Sequence, residues 1–156
     1  MKSTGRLIVI AACSVPRAGL AARAPSAAAT APDTTVTTVI VVRHAEKNTA
    51  WVGDDPPLTE AGFRRAQALA HALADAHVEA IWVTRFRRNR DTAAPLAAQT
   101  GDSIEVVDQG DPAALAARAW DRERGHTVLV VGHSDTVPAI VASLTGGPRP
   151  EFESGQ

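Results

Sequence analysis

Two apolar runs of largely β-branched residues, far apart in the chain, each lead into a histidine. The first run covers residues 39–42 and continues into Arg43 and His44; the second covers residues 127–131 and reaches His133 after a glycine. Runs this apolar are typical of strands buried on both faces, as in a parallel sheet. If the two strands are parallel neighbours, both imidazoles emerge at the carboxyl edge of the sheet, where open α/β folds bind ligands. The sequence therefore predicts one pocket that contains both histidines.

The order of the predicted elements indicates a sheet covered on both faces. Short apolar runs, expected as strands, alternate with helical patterns; the expected strands lie near residues 37–43, 80–84, 103–107 and 127–131. The expected helices begin near Leu58, Asn89, Asp111 and Thr136. This alternation predicts an α/β fold, a three-layer α/β/α sandwich with a mainly parallel central sheet.

The first expected helix carries its own start signal. Thr59 is a good N-cap, and Leu58 before it is placed to pack on Phe63. Helical spacing puts one apolar set on a single face: Phe63, Ala66, Leu69, Ala70 and Leu73. A face of this kind is typical of a helix that packs on the core.

The composition limits the class of protein. The chain has 156 residues, enough for one domain with a core, and 45% of them are hydrophobic. The formal net charge of -1 gives no overall field that would favour nucleic acid or an anionic membrane. The single cysteine, Cys13, excludes an internal disulfide framework and a cysteine-based zinc site.

The first 35 residues differ in character from the rest of the chain. Residues 1–13 have the layout of a signal peptide, and the residues before Cys13 resemble a bacterial lipobox, in which the cysteine becomes lipidated. The alternatives are a signal cleaved further on and a wrongly assigned start. Residues 14–35 are rich in Ala, Pro, Thr and Ser and are expected to be a disordered linker. We predict an exported protein that would bind a membrane only through a lipid on Cys13. If the start of the chain is misassigned, we predict a cytoplasmic protein instead.

A basic cluster follows the second expected strand, with the members Arg85, Arg87, Arg88 and Arg90. A nucleic-acid surface draws its basic residues from several segments and places aromatic residues among them. This cluster sits at one strand end and continues into a helix, so we expect no nucleic-acid partner. Only one of its arginines is expected to point inward.

Three motifs together resemble the histidine phosphatase superfamily, which includes phosphoglycerate mutases and small phosphohistidine phosphatases. The motifs are Arg-His-Ala-Glu at residues 43–46, Arg88-x-x-x-Thr92-Ala93, and Gly-His-Ser at residues 132–134. The resemblance gives a domain of residues 36–147. It implies a phosphohistidine intermediate on His44 and a phosphate pocket formed by Arg43, Arg88 and His133.

The end of the chain departs from the family pattern. Members of the family usually carry one more strand after the last helix, whereas residues 148–156 contain no strand-like run. We expect an irregular tail there and a sheet that lacks this last strand, and a truncated C-terminus is one interpretation of it.

These residue types suit phosphoryl transfer. Neutral His44 can attack phosphorus, which splits one difficult hydrolysis into two easier displacements. Arg43 and Arg88 can each hold phosphate oxygens with a planar fork of donors, and a protonated His133 adds a further donor and charge. We predict a metal-independent phosphohydrolase without a cofactor. Its substrate would be a phosphomonoester or phosphohistidine, in a small molecule or a phosphoprotein.

The proton donor to the leaving group is not assigned. One branch of the family has an aspartate directly after the second histidine, where this chain has Ser134. The candidates are Glu46, Glu105, Asp108, Asp111 and Asp135.

Three alternative functions stay open. The first is a catalytically silent domain that binds phosphate or a phosphoprotein, and the second is a phosphoglycerate mutase. The third is a metal site at His44, Glu46 and His133, which the two arginines would disfavour by repelling a cation.

Overall fold

The computed structural model describes residues 10–11 and 36–151 of the chain. The elements in chain order are β1 (Ile10–Ala11), β2 (Thr38–Arg43), α1 (Glu60–Ala72), β3 (Val78–Val83), α2 (Arg87–Thr100), β4 (Ile104–Val106), α3 (Pro112–Arg122), β5 (Thr127–Gly132) and α4 (Thr136–Thr145). The strands and helices predicted between residues 37 and 144 are all present, with ends that differ by a few residues.

Most of the predicted leader lies outside the described residues. The predicted signal peptide, apart from β1, lies outside, and so do Cys13 and the predicted linker of residues 14–35. Export and lipidation therefore stay predictions. Residues 146–151 contain no helix or strand, and residues 152–156 of the predicted tail also lie outside. Among the residues that the structure describes, no helix is both long and apolar enough to span a membrane.

The two apolar runs form adjacent parallel strands in the middle of the sheet. The strand order is β1-β2-β5-β3-β4, and the pairs β2–β5, β5–β3 and β3–β4 are parallel. The short β1 pairs antiparallel with β2 at one edge. In the register of β2 and β5, Val39 lies opposite Val128 and Arg43 lies opposite Gly132. The predicted mainly parallel sheet is confirmed, and the histidines that follow these two strands are neighbours.

Helices cover both faces of the sheet. Val39 and Val41 of β2 pack in a cluster with residues of α3 and α4, such as Leu115 and Ile140. Their neighbours in β2 point the other way and pack in a cluster with residues of α1 and α2. Because successive side chains of a strand point to opposite faces, one strand serves both layers. The predicted three-layer α/β/α sandwich is confirmed.

The prediction that Phe63 lies on the apolar face of α1 and packs with Leu58 is wrong. Thr59 caps α1 as expected, since its side chain accepts a hydrogen bond from the Gly62 N–H at 3.0 Å. The Phe63 side chain, however, is 45% exposed. Leu58 packs with Ala45 and Ala66 instead of Phe63. The inward face of the helix includes Gly62, and Phe63, about 100° further round the helix, lies at the edge of this face.

Gly62 allows the start of α1 to approach the segment that follows His44. A Cβ atom at Gly62 would lie 2.4 Å from the carbonyl oxygen of Glu46, closer than the two atoms can approach. We expect Gly62→Ala to lower the free energy of unfolding by about 1–3 kcal/mol, because the backbone of one segment has to move. Urea denaturation measures this change.

Gly110→Ala is the matched control for this prediction. The nearest atoms to a Cβ at Gly110 belong to the Asp108 carboxylate, with a closest distance of 3.1 Å, and this exposed side chain can move aside. Equal stability of the Gly62→Ala and Gly110→Ala proteins would contradict the proposed close approach.

Candidate active site

The two histidines lie side by side at the carboxyl edge of the sheet. His44 directly follows β2, and His133 directly follows β5. The backbone N–H of His44 donates to the Gly132 carbonyl oxygen at 3.0 Å, which extends the strand pairing past the end of β2. The ring centroids of His44 and His133 are 5.3 Å apart, with an interplanar angle of 68°. The structure thus brings both predicted histidines into one site.

His44 is held in one neutral form. Its Nδ1 lies 2.7 Å from the Ala45 carbonyl oxygen, and a carbonyl can only accept, so Nδ1 carries the proton. Burial, and to a smaller extent the positive charges of Arg88 and Arg43, lower the pKa of His44 to about 4. The hydrogen bond to Ala45 acts in the opposite direction but is outweighed. At neutral pH the Nε2 atom therefore keeps its lone pair.

We expect an NMR titration of the ring nitrogens to show His44 neutral, with its proton on Nδ1, down to about pH 4. Since the pKa of His44 is lower in the folded than in the unfolded chain, protonation favours unfolding. The stability that neutral His44 contributes should be complete above about pH 6.5 and decrease as the pH falls towards 4. The His44→Asn protein identifies the resonances, and a titration midpoint near 6.5 would contradict this environment.

Arg88 is the arginine of the basic cluster that points inward. Its side chain is 12% exposed, whereas that of Arg87 is 53% exposed. The guanidinium carbon lies 4.2 Å from the centroid of the Phe86 ring, and Nη1 lies 3.9 Å from Oδ1 of Asp55. Its buried Nε has no hydrogen-bond partner. Burial lowers the pKa of Arg88, and the Asp55 carboxylate opposes this effect. The site therefore presents a cation whose donors an oxyanion could satisfy.

Asp55 ties the loop after β2 to the start of α2. Its two carboxylate oxygens accept from the backbone N–H of Arg87 at 2.8 and 3.1 Å. A carboxylate is favourable at the N-terminus of a helix, where N–H groups lack partners within the helix. Nothing in the sequence indicates this contact, because loop residues 48–57 have no periodic pattern.

His133 is fixed by polar and aromatic contacts. Its Nε2 lies 3.0 Å from the Thr84 hydroxyl, and its backbone N–H donates to the Thr136 hydroxyl at 2.9 Å. Burial and then the charge of Arg88 lower the pKa of His133, while Asp135 raises it. A phosphate dianion bound beside this ring would also raise the pKa and would favour the protonated form that donates.

Arg43 lies at the rim of the site. It is the exposed last residue of β2, and its charge lowers the pKa of both His44 and His133. The predicted nucleophile and the three side chains predicted for the phosphate pocket therefore lie at one edge of the sheet, with Arg88 partly buried and Arg43 in contact with solvent.

Several known proteins are similar to this chain in sequence and fold. The model of the histidine phosphatase superfamily (branch 1) matches residues 39–109, which contain the first two motifs. The structure is similar to that of the protein histidine phosphatase SixA complexed with tungstate. The two share 27% identity over 75% of this chain and 83% of that chain, with a TM-score of 0.64. Residues 39–109 of this chain thus match the histidine phosphatase superfamily, and the structure has the same fold as these SixA phosphatases.

Two further structures are similar to this domain. The SixA-type protein from Agrobacterium tumefaciens is 27% identical over 67% of this chain and 74% of its own, with a TM-score of 0.56. The alpha-ribazole phosphatase from Shigella flexneri is 16% identical over 71% and 81%, with a TM-score of 0.61, and shows the shared fold alone. No curated protein sequence matches the chain. The two SixA-type neighbours are phosphatases, which supports the predicted phosphatase activity.

A buried polar layer that the sequence does not predict lies beneath the histidines. Asn89 is fully buried and donates from Nδ2 to the carbonyl oxygens of Val131 and Gly132 at 2.9 and 3.2 Å. The Gln109 amide also donates to the Val131 carbonyl, at 3.1 Å. Thr92 accepts from the backbone N–H of Ala45 at 2.9 Å. The layer fixes the backbone on both sides of the histidines.

A sequence signal for part of this layer existed. Asn89 lies at helical spacing from Ala93 and Leu96, which are buried on the face of α2 that packs on the sheet. A polar residue on such a face must find partners when it is buried. Gln109 lies in a loop and gave no comparable signal.

The candidates for the proton donor differ in their surroundings. Glu46 and Glu105 form ion pairs with arginines, and Asp108 and Asp111 accept backbone hydrogen bonds. The negative charge of Asp135 raises the pKa of His133.

Within residues 10–11 and 36–151, no group of three or more histidine, cysteine or acidic side chains is placed to hold a metal ion. The alternative metal site at His44, Glu46 and His133 therefore has no support, since Glu46 pairs with Arg65 at 3.1 Å.

Proposed function

We propose that this domain hydrolyses phosphohistidine or a phosphomonoester through a phosphohistidine intermediate on His44, without a metal ion. The neutral form of His44 is the observation that carries this proposal. The ring donates from Nδ1 to Ala45, which leaves the lone pair of Nε2 for attack on phosphorus. A nucleophile with a pKa of about 4 needs no base to deprotonate it at neutral pH.

The reaction would proceed in two displacements. In the first, Nε2 of His44 forms a bond to phosphorus while the bond from phosphorus to the leaving group breaks. In the second, water attacks the phosphohistidine, the nitrogen–phosphorus bond breaks, and inorganic phosphate leaves. Arg88, Arg43 and His133 would stabilise the charge on the phosphoryl oxygens in both steps.

Phosphohistidine carried by a protein is the substrate that the observations favour. The similarity to a protein histidine phosphatase supports it. An imidazole leaving group that is already protonated needs no dedicated acid, and four of the five candidate acids are engaged elsewhere. An alkyl phosphate, by contrast, has a basic leaving group and needs a proton from the enzyme.

The test compares three substrates with the full chain in the presence of a chelator. We expect hydrolysis of p-nitrophenyl phosphate and of a histidine-phosphorylated protein, and much slower hydrolysis of glycerol phosphate. Binding of phosphate without release from any of the three would favour the silent binding domain and contradict the proposal. Activity that is lost with the chelator and restored by a divalent cation would contradict the metal-independent mechanism.

A further inference from the structure

Phe86 lies among the cations of the candidate site although no motif includes it. It directly precedes α2 and makes no side-chain hydrogen bond that would cap this helix. The guanidinium carbons of Arg88 and Arg85 lie 4.2 and 5.1 Å from the centroid of its ring. The His133 ring meets the Phe86 ring at 5.3 Å with an interplanar angle of 86°. One aromatic ring thus contacts both an arginine and a histidine of the phosphate pocket.

The contacts of Arg88 show why this ring matters. The buried Nε of Arg88 has no hydrogen-bond partner, and the 3.9 Å from Nη1 to Asp55 exceeds hydrogen-bond distance. Neither Nε nor the contact of Nη1 with Asp55 therefore supplies a directional hydrogen bond that would fix the plane of the guanidinium. The negative face of an aromatic ring attracts a guanidinium, and its positive edge favours a perpendicular neighbour ring.

We propose that Phe86 is a positioning residue of the phosphate site, which holds the Arg88 guanidinium and the His133 imidazole in a fixed relation to each other. The proposal rests on the proposed function and adds to it a residue that touches neither the phosphoryl group nor the nucleophile. Phe86 would act through Arg88 and His133, because a bound phosphate needs donors from both side chains at the same time.

The test uses Phe86→Leu, which keeps an apolar side chain but removes the ring. We expect this variant to bind inorganic phosphate about 3- to 30-fold more weakly than the wild type, the range that a partly desolvated cation–π contact supports. Phe86→Tyr keeps the ring and should restore affinity to within about two-fold. Phe63→Leu is the matched control, since it makes the same change at an exposed position of α1 and should leave affinity unchanged.

Two NMR measurements keep the inference separate from the proposed function. In the wild type, the side-chain protons of Arg88 should be shifted upfield by the Phe86 ring, a result that needs no variant and no activity. In Phe86→Leu, the pKa of His133 should rise towards its ordinary value, because Arg88 and the shielding ring no longer sit beside it. Failure of the wild type to hydrolyse any substrate would contradict the proposed function alone. Unshifted Arg88 protons, or a Phe86→Leu protein with wild-type phosphate affinity and His133 titration, would overturn the inference.

Discussion

Replacing His44 by alanine is expected to abolish the phosphoenzyme and to lower turnover by more than about 10⁴-fold, as the loss of a covalent nucleophile does. His44 is the buried histidine whose free Nε2 is unprotonated at neutral pH, and no other group in the described part of the site has this combination. The measurement is incubation with phosphate-labelled substrate, a rapid quench without acid and peptide mapping of the label. Acid must be avoided because it hydrolyses phosphohistidine.

His44→Asn serves as the second variant for this prediction. Its amide can still donate to the Ala45 carbonyl, so the local structure should be kept while the nucleophile is lost. We expect this protein to bind inorganic phosphate through Arg88 and His133, which would show an intact pocket. A label that maps to His133, or a phosphoenzyme formed at the normal rate by His44→Ala, would show that the nucleophile is assigned incorrectly.

Replacing His133 by alanine is expected to slow turnover by about 10²–10³-fold, the order found when one preorganised electrostatic donor is lost. The label should still map to His44, since His133 contacts Thr84 and the Phe86 ring and is not the attacking group. Steady-state and single-turnover rates, measured with the same substrate, test both statements.

His133→Gln is the matched variant for this second prediction. Its amide can donate to a phosphate oxygen but cannot become protonated in the accessible pH range. We expect an intermediate loss, smaller than that of His133→Ala. Turnover unchanged in His133→Ala would exclude His133 from the transition state, and the absence of any phosphoenzyme would indicate a role in the attack itself.

The sequence alone determined the elements and the edge at which the site forms. Apolar runs at residues 39–42 and 127–131 predicted the two central strands, and the same edge of the sheet carries both histidines. Thr59 predicted the start of α1. These features depend on periodicity and on signals within a few residues, which act before any distant contact forms. The resemblance added the choice of Arg88 among four neighbouring arginines.

Only the tertiary structure decided how the side chains of the site are held and charged. The carboxylate of Asp55 reaches the backbone of a residue 32 positions away, and Thr84 meets His133 over a separation of 49. Gly62, and not Phe63, meets the backbone of Glu46, and the Phe63 side chain stays 45% exposed. The low pKa of His44 follows mainly from burial by segments that are distant in the chain. Contacts of this kind depend on which elements pack together and on how each helix is rotated about its axis. Short-range patterns in a sequence predict neither of these, nor the burial that shifts a pKa.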